Sequence, residues 1–323
     1  MKLGTVLASM VGLAAMAALA GFPRASDADP STWAFPENPA PAPAQGWDRS
    51  RLIAMHGYAP KFTEAQTRDR FHAVDWRPKG HPAMPDVVAS GRRPAVYACG
   101  FCHLPAGEGR PENASLAGLP HDYIVSQVRA FAKGERSSVV KGWAPSALMA
   151  SLSGDVTPAE AEAAASYFSK LRFTSHVRVV ETAKVGPPRA TNYLLTPVAG
   201  APLEPLGLRI VESAASMEGF EHRDPLMTYV AYVPVGSLKR GAALAGGAGG
   251  VQPCAECHGE ALNGGWLGPP LAGRSPSYLF RQLLAFKTGS RSGADAAGMQ
   301  AETARLTTAD MIALAAYAGS IRH

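Results

Sequence analysis

Apolar residues with helical periodicity occur in two similar stretches of the chain. In the first stretch, Tyr123, Gln127, Val128 and Phe131 fall at i, i+4, i+5 and i+8, which places them on one face of an amphipathic helix. The same spacing recurs in the second half of the chain, at Tyr278, Gln282, Leu283 and Phe286. The pattern therefore predicts a helix of the same kind in each half.

Each half also contains a start signal for a closing helix. Thr157-Pro158-Ala159-Glu160 places an acidic residue three positions after a threonine N-cap, and Thr307-Thr308-Ala309-Asp310 resembles it. A threonine followed by such an acid is a capping box, in which both side chains bond to free backbone N–H groups. We therefore expect a helix to follow each threonine.

Three other stretches do not have this helical pattern. RFTSHVRVV (172–180) and LMTYVAYVPVG (226–236) are rich in β-branched and aromatic residues, which predicts short strands. PSTWAFPENPAPAPAQGW (30–47) is rich in proline and is typical of an extended arm or linker. These segments separate and precede the two helical regions.

The N-terminus has the pattern of an export signal. Lys2 precedes an apolar, alanine-rich run from Leu3 to Ala20, and small residues end the run at Ala18-Leu19-Ala20-Gly21. Residues 1–20 are therefore interpreted as a cleaved secretory signal peptide, with an uncleaved membrane anchor as the alternative. Export predicts a periplasmic location.

The two helical regions are copies of one unit. An offset of 155 residues aligns 99–136 with 254–291, with 14 identities in 38 gapless positions. Further along the chain the offset becomes 150 residues, and it aligns Met149 with Met299. Such agreement indicates an internal repeat. The predicted organisation is a signal peptide, an extension, domain one, a connector and domain two, with the boundaries 1–20, 21–80, 81–172, 173–235 and 236–323.

All four cysteines lie in the two copies of one motif, CGFCH at 99–103 and CAECH at 254–258. In an exported protein four cysteines can form two disulfides, and CxxC pairs can also bind zinc. The histidine after each second cysteine instead indicates attachment of a c-type haem. Cysteines on one helical turn can bind the two vinyl groups of a haem as thioethers, and the histidine that follows reaches the iron.

Two methionines are the predicted partners of these histidines. Met149 and Met299 are each the first methionine after a motif histidine, and each is expected in a loop before a capped helix. A thioether opposite an imidazole is the His/Met ligation of cytochromes c. The rival ligand in domain one is His121, but the equivalent residue in domain two is Pro276. Met311 is expected in the core.

Each motif histidine also needs an acceptor for its second ring nitrogen. The stretch Gly268-Pro269-Pro270-Leu271 can offer a backbone carbonyl to His258. The equivalent stretch in domain one, Asn113-Ala114-Ser115-Leu116, contains no proline, so we expect a less rigid loop beside His103.

These motifs resemble the class I c-type cytochromes. The shared features are CxxCH, LAG, YxxxQxxxFxxGxR, a methionine and a closing helix with tyrosine, and the tandem arrangement resembles the di-haem cytochromes of the c-four type. The resemblance covers about 85–171 and 236–323. It implies a mainly α fold of two cytochrome lobes with one covalent haem each, joined here by a long, partly β connector.

The resemblance assigns the same ligands to both haems. Haem one would be held by Cys99, Cys102, His103 and Met149, and haem two by Cys254, Cys257, His258 and Met299. The implied function is transfer of single electrons between periplasmic redox partner proteins, with the chain as a carrier rather than an enzyme. It can act alone, as the cytochrome subunit of a dehydrogenase or oxidase, or at the membrane periphery.

The alternative is an enzyme, a di-haem cytochrome c peroxidase, which needs one iron with an open or displaceable position. A methionine in both halves favours the carrier. The chain has a net charge of +5, but its basic residues are not clustered in a patch. No nucleic-acid partner is therefore expected. The connector is either a strap that fills the space between the lobes or a docking surface, and the sequence favours neither.

Overall fold

The computed structural model of the chain describes residues 29–37 and 48–322. The predicted signal peptide and residues 38–47 of the proline-rich run lie outside these ranges. None of the helices in the described part of the chain combines the length and apolar content that crossing a membrane requires.

The N-terminal extension is packed against the rest of the protein. Its elements are α1 (Ser31–Ala34), β1 (Leu52–Ala54), β2 (Lys61–Thr63) and α2 (Glu64–Arg68), with β1 and β2 antiparallel. Trp33 and Phe35 are buried, and the Trp33 ring lies 4.6 Å from that of Phe280. The prediction of an arm or linker is therefore wrong for residues 29–37, because these aromatic rings bury apolar surface that the proline content does not reveal.

The first repeat is folded as a helical lobe. Its helices are α3 (Asp86–Ala89), α4 (Cys99–His103), α5 (His121–Ala132), α6 (Ala144–Ser153) and α7 (Pro158–Phe168). The core between α3, α5 and α7 includes Val88, Ala165 and Phe168, none of which has measurable exposure. The capping box predicted at Thr157 and Glu160 is confirmed, since both reciprocal hydrogen bonds are present.

The connector folds into short strands and one helix. In chain order these are β3 (Val177–Glu181), β4 (Lys184–Val185), β5 (Pro188–Thr191), β6 (Leu194–Pro197), β7 (Glu204–Pro205), β8 (Val211–Ala214), α8 (Met217–Glu221) and β9 (Tyr229–Val233). Strands β3, β9 and β8 form a sheet in which β9 is central, parallel to β3 and antiparallel to β8. The two runs predicted as strands contain β3 and β9.

The second repeat forms the other helical lobe. Its helices are α9 (Ser237–Ala245), α10 (Ala255–His258), α11 (Pro276–Thr288), α12 (Ala297–Thr303) and α13 (Thr308–Ser320), with 3₁₀ turns at Ala248–Gly250, Glu260–Leu262 and Ala294–Ala296. Helices α9 and α13 cross closely at Gly241, where a Cβ atom would lie 2.1 Å from the Ala313 carbonyl oxygen. Met311 is buried in this core, as predicted.

Met149 and Met299 lie within helices rather than loops. Met149 is in α6 and Met299 is in α12. The expectation of loops is therefore wrong. Pro145 stands at the start of α6, where a proline costs no hydrogen bond, and the alanine and leucine around Met149 are strong helix formers.

A polar cavity of about 160 Å³ lies where the extension, lobe one and the connector meet. Its lining includes Asp75, His81, Glu108 and His176. Burial raises the pKa of Glu108 to about 7, although His81 and Arg77 nearby lower it. One oxygen of Glu108 (Oε2) is buried without a hydrogen-bond partner among the described residues. The folded protein therefore favours the neutral form of this carboxyl.

We expect Glu108→Gln to stabilise the protein above pH 7. Because the folded-state pKa is raised above the ordinary value of 4.5, the folded state binds the proton more tightly, and stability falls as pH rises from about 4.5 to about 7. Removing this titration should gain about 3 kcal/mol at pH 8 and little at pH 4. Denaturant titrations at both pH values measure the difference, and equal gains at pH 4 and pH 8 would show that Glu108 does not titrate in this way.

Candidate functional site

The first CxxCH motif lines a large cavity in lobe one. Helix α4 brings Cys99, Cys102 and His103 to the wall of a cavity of about 720 Å³, and α6 brings Met149 to the same cavity. The amphipathic face predicted on α5 also faces it, through Tyr123, Gln127, Val128 and Phe131. The structure thus gathers all four predicted ligands of this lobe around one space.

Both motif histidines make the same hydrogen bond to the backbone. Nδ1 of His103 lies 2.8 Å from the Ala114 carbonyl oxygen, and Nδ1 of His258 lies 2.8 Å from that of Pro269. Since a carbonyl oxygen can only accept, Nδ1 carries the proton and Nε2 keeps its lone pair. Burial lowers the pKa of both histidines, which keeps the imidazoles neutral. The predicted carbonyl acceptors are confirmed in both lobes.

The second motif is positioned by a loop of small residues. Cys254 and Cys257 are partly buried at α10, and His258 is buried. A Cβ atom on Gly268 would lie 2.7 Å from Nδ1 of His258, so glycine lets the chain pass directly beside the imidazole. Met299 is partly buried in α12. Its pairing with His258 stays a prediction.

His121 has partners on the outside of lobe one. Its Nδ1 lies 2.8 Å from Oδ1 of Asp122 and its Nε2 lies 3.0 Å from Oε2 of Glu162. Both ring nitrogens are thus engaged with carboxylates, and the hydrogen bond to Asp122 raises the pKa of the ring. His121 is also not among the residues that line the lobe-one cavity. These contacts favour Met149 over His121 as the partner of His103.

A symmetric hydrogen-bond network joins the two lobes. Arg136 donates to Gln127 at 2.8 Å, to Tyr278 at 3.0 Å and to Gln282 at 2.9 Å. Its repeat equivalent Arg291 donates to Tyr123 and Gln127 at 2.8 Å and to Gln282 at 3.2 Å. Both arginines are buried, and the recorded acceptors are neutral. The sequence showed these residues as repeated identities, but it did not show that they face each other.

We expect Arg136 and Arg291 to act as one unit in stability measurements. Replacing either by alanine leaves partly buried tyrosine and glutamine groups with fewer partners, which should cost about 1–3 kcal/mol. Because the two arginines share Gln127 and Gln282, the double variant should lose less than the sum of the single losses. A double-mutant cycle from denaturant unfolding measures this coupling, and strictly additive losses would contradict it.

The connector also contributes a buried arginine to the first motif. Arg223 donates from Nε to the Phe101 carbonyl oxygen at 3.0 Å and from Nη1 to that of Thr67 at 2.9 Å. Its guanidinium carbon lies 3.8 Å from the centre of the Phe101 ring, and burial lowers the pKa of Arg223 to about 10. No sequence pattern points to Arg223, because it lies outside the repeat and 121 positions after Cys102.

The chemistry of the donor set fits a covalent haem. In the described part of the chain none of the four cysteines forms a disulfide, and burial raises the pKa of Cys99 to about 12 and also raises that of Cys102 and Cys254. The described residues contain no group of three or more histidine, cysteine or acidic side chains arranged to hold a metal ion. Two thiols and an imidazole lone pair at one cavity suit a haem that completes the coordination of its own iron.

Residues 239–321 match the Cytochrome c family. They form a cytochrome c domain. This cytochrome c domain covers lobe two, and the match confirms the resemblance to c-type cytochromes that the sequence predicted. A covalently bound haem with its iron is therefore the cofactor of this protein.

The cytochrome also resembles curated and solved proteins over most of its length. The thiosulfate dehydrogenase electron acceptor of Thiomonas intermedia (strain K12) is 29% identical over 227 residues, covering 69% of this chain and 78% of that protein. A thiosulfate dehydrogenase structure from Marichromatium purpuratum has 25% identity and a TM-score of 0.45, and the match covers 72% of this chain but only 38% of that one. Cytochrome c4 from Pseudomonas stutzeri has 22% identity and a TM-score of 0.45 over 69% of this chain and 93% of its own.

Proposed function

We propose that this protein is an exported di-haem cytochrome c that passes single electrons between periplasmic redox partner proteins. The observation that carries the proposal is the duplicated motif geometry, in which each CxxCH histidine donates from Nδ1 to a carbonyl at 2.8 Å. This geometry directs an imidazole lone pair away from the carbonyl in each lobe. When bound, each haem supplies a one-electron ferric/ferrous couple.

In lobe one, Cys99 and Cys102 would form the thioethers, and His103 and Met149 would supply the axial ligands. The cavity to which they all contribute is the support for this assignment. The apolar side chains of Phe131, Val128 and Leu116 also line this cavity and would exclude water from the flat faces of the group. Exclusion of water and methionine ligation both favour the ferrous state.

In lobe two, Cys254, Cys257, His258 and Met299 would take the same roles. The equivalent hydrogen bond of His258 and the repeat offset support the first three, and the offset of 150 supports Met299. Proline at the acceptor position, Pro269, restricts the backbone that orients His258. Ala114 at the equivalent position of lobe one imposes no such restriction.

The buried arginines between the lobes suit a cofactor with acidic groups. Arg136 and Arg291 are both buried, and two guanidinium groups close together are costly without an anion. The propionates of haems held in the adjacent lobes would supply that negative charge. The network therefore supports cofactors whose acidic groups would be held by Arg136 and Arg291 at the lobe interface.

The curated relative suggests the kind of partner. That protein is named an electron acceptor of thiosulfate dehydrogenase, and it matches 69% of this chain. We infer that this cytochrome likewise accepts electrons from a periplasmic dehydrogenase and passes them to another carrier. The signal peptide predicted at residues 1–20 supports the periplasmic location.

The spectrum of the purified ferric protein tests this proposal. Two His/Met haems should both be low-spin and should bind cyanide slowly, because cyanide would first have to displace a methionine. A peroxidase-type enzyme should instead show a high-spin fraction that binds cyanide within the mixing time and reduces hydrogen peroxide. A high-spin fraction that amounts to one haem per chain would show that the protein is a peroxidase-type enzyme rather than an electron carrier.

A further inference from the structure

Equivalent surfaces beside the two CxxCH motifs differ sharply in exposure. In lobe one, Phe101 and Glu112 are 8% and 7% exposed, and Pro111 is buried. The positions related to these by the offset of 155 are Glu256, Leu267 and Trp266. All three are exposed in lobe two, Leu267 by 58% and Trp266 by 89%.

The motif of lobe one is covered by parts of the chain outside lobe one. Arg223 from the connector lies over Phe101, and Arg110 stacks on Phe220 of α8 at 3.7 Å. Arg281 from lobe two donates to the carbonyl oxygens of Pro111 and Ala34. The connector, the extension and lobe two thus close this face of lobe one, which supports the interpretation of the connector as a strap.

The corresponding loop of lobe two presents apolar side chains to solvent. The Gly265 amide donates to the Gly268 carbonyl oxygen at 3.0 Å, so Trp266 and Leu267 form the tip of a tight turn. A Cβ atom on Gly265 would lie 2.4 Å from the Cys257 carbonyl oxygen. The turn is therefore pressed against the CxxCH helix, and the exposed tip stands beside the thioether position.

Two exposed acidic residues precede this apolar turn in the chain, on either side of the backbone of residues 257–259 that packs against it. Glu256 lies within the motif itself, and Glu260 lies two positions after His258. Their lobe-one equivalents, Phe101 and Pro105, are uncharged and buried. An apolar centre with charge of one sign at its edge is complementary to an apolar face with a basic rim.

We propose that the Trp266–Leu267 turn is the docking surface for a protein redox partner whose contact face has an apolar centre and a rim of lysine or arginine. The inference rests on the proposed function, since it assigns the partner's electron exchange to lobe two. Lone exposed apolar residues are common on proteins. Here a tryptophan and a leucine are adjacent, lie against the cofactor motif, and occupy positions that are covered in the other lobe.

Stopped-flow oxidation of the reduced protein tests the docking surface. The protein probe is a ferric mono-haem cytochrome c with a lysine-rich surface, and the small-molecule probe is hexacyanoferrate(III). Each reaction moves one electron from ferrous iron of this protein to ferric iron of the probe, without proton or bond changes. We expect Trp266→Ala and Leu267→Ser to slow the reaction with the protein probe, by about tenfold for Trp266→Ala, and to change the hexacyanoferrate rate less than twofold.

A control variant and a charge-reversal variant make the test more specific. Leu52→Ala is a matched control, because Leu52 is 63% exposed and lies in the extension, and it should leave both rates unchanged. Glu256→Lys combined with Glu260→Lys should slow the protein probe at low salt and weaken or reverse the salt dependence of its rate. Unchanged protein-probe rates in Trp266→Ala would overturn the proposal.

Other occupants of the turn would also overturn it, and each gives a distinct result. If a second copy covers the turn, sedimentation equilibrium shows a wild-type dimer that Trp266→Ala dissociates. If another segment of the chain covers it, hydroxyl-radical footprinting finds Trp266 protected in the monomer. Failure of the proposed function is separate, because the wild-type spectrum before mixing would then lack two low-spin haems.

Discussion

Replacing Met149 with alanine should leave the protein folded with two attached haems while it opens one iron to water and cyanide. The proposed thioethers of Cys99 and Cys102 and the proposed iron ligand His103 would not depend on Met149. The weak absorption at the red end of the spectrum that reports iron–methionine bonding should halve in Met149→Ala, halve in Met299→Ala and vanish in the double variant. The potential of the affected haem should fall, because the thioether favours ferrous iron.

A conservative change and a control make this result specific. Met149→His should keep haem one low-spin and lower its potential, with little change at haem two, and Met299→His should do the reverse. Met217→Leu, which alters a partly buried methionine in the connector, should leave the band and both potentials unchanged. An intact band and potential in Met149→Ala would show that haem one has another ligand, with His121 the next residue to test.

The second large effect is expected at Arg223. Its guanidinium lies against Phe101, inside the motif of lobe one, and burial reduces the screening of its charge. A buried positive charge disfavours the ferric state, so Arg223→Gln should lower the potential of haem one. We expect a shift on the order of tenfold in the equilibrium constant for reduction, which corresponds to about 1.4 kcal/mol.

The charge and the packing of Arg223 can be separated. Arg223→Lys keeps the charge and should retain most of the potential, although it loses the two-pronged contact with the Phe101 and Thr67 carbonyls. Haem two should be unaffected by either variant and serves as the internal control. Potentiometric titration of both haems, with a thermal melt to confirm folding, gives the answer. Equal potentials at haem one in wild type and Arg223→Gln would rule out this electrostatic role.

The repeat explains why much of the local structure was predictable. The CxxCH helix, the capping boxes and the carbonyl acceptors are each formed by residues close in sequence. The repeat offset therefore predicts a carbonyl acceptor for His103 at the position equivalent to that for His258, and the structure has these acceptors at Ala114 and Pro269. The helix face of Tyr123, Gln127 and Phe131 was predictable for the same reason. Local periodicity and capping chemistry determine these features.

Features that depend on tertiary contacts were not predictable in this way. Met149 and Met299 lie in short helices that begin without a side-chain hydrogen bond at the N-cap, so no local start signal predicts these helices. The burial of Trp33 and Phe35 and the stacking of Arg223 on Phe101 join segments more than 100 residues apart. No pattern within either segment reveals its partner, so only the folded structure shows these contacts.

Intact-mass spectrometry of the purified exported protein shows directly whether the chain carries two covalently attached haems. We expect the mass of the chain from Gly21 onward plus two haem groups, with no haem extracted by acid acetone. A mass with one haem or none, or haem that moves into the acetone layer, would show that the two CxxCH motifs do not both bind a haem covalently.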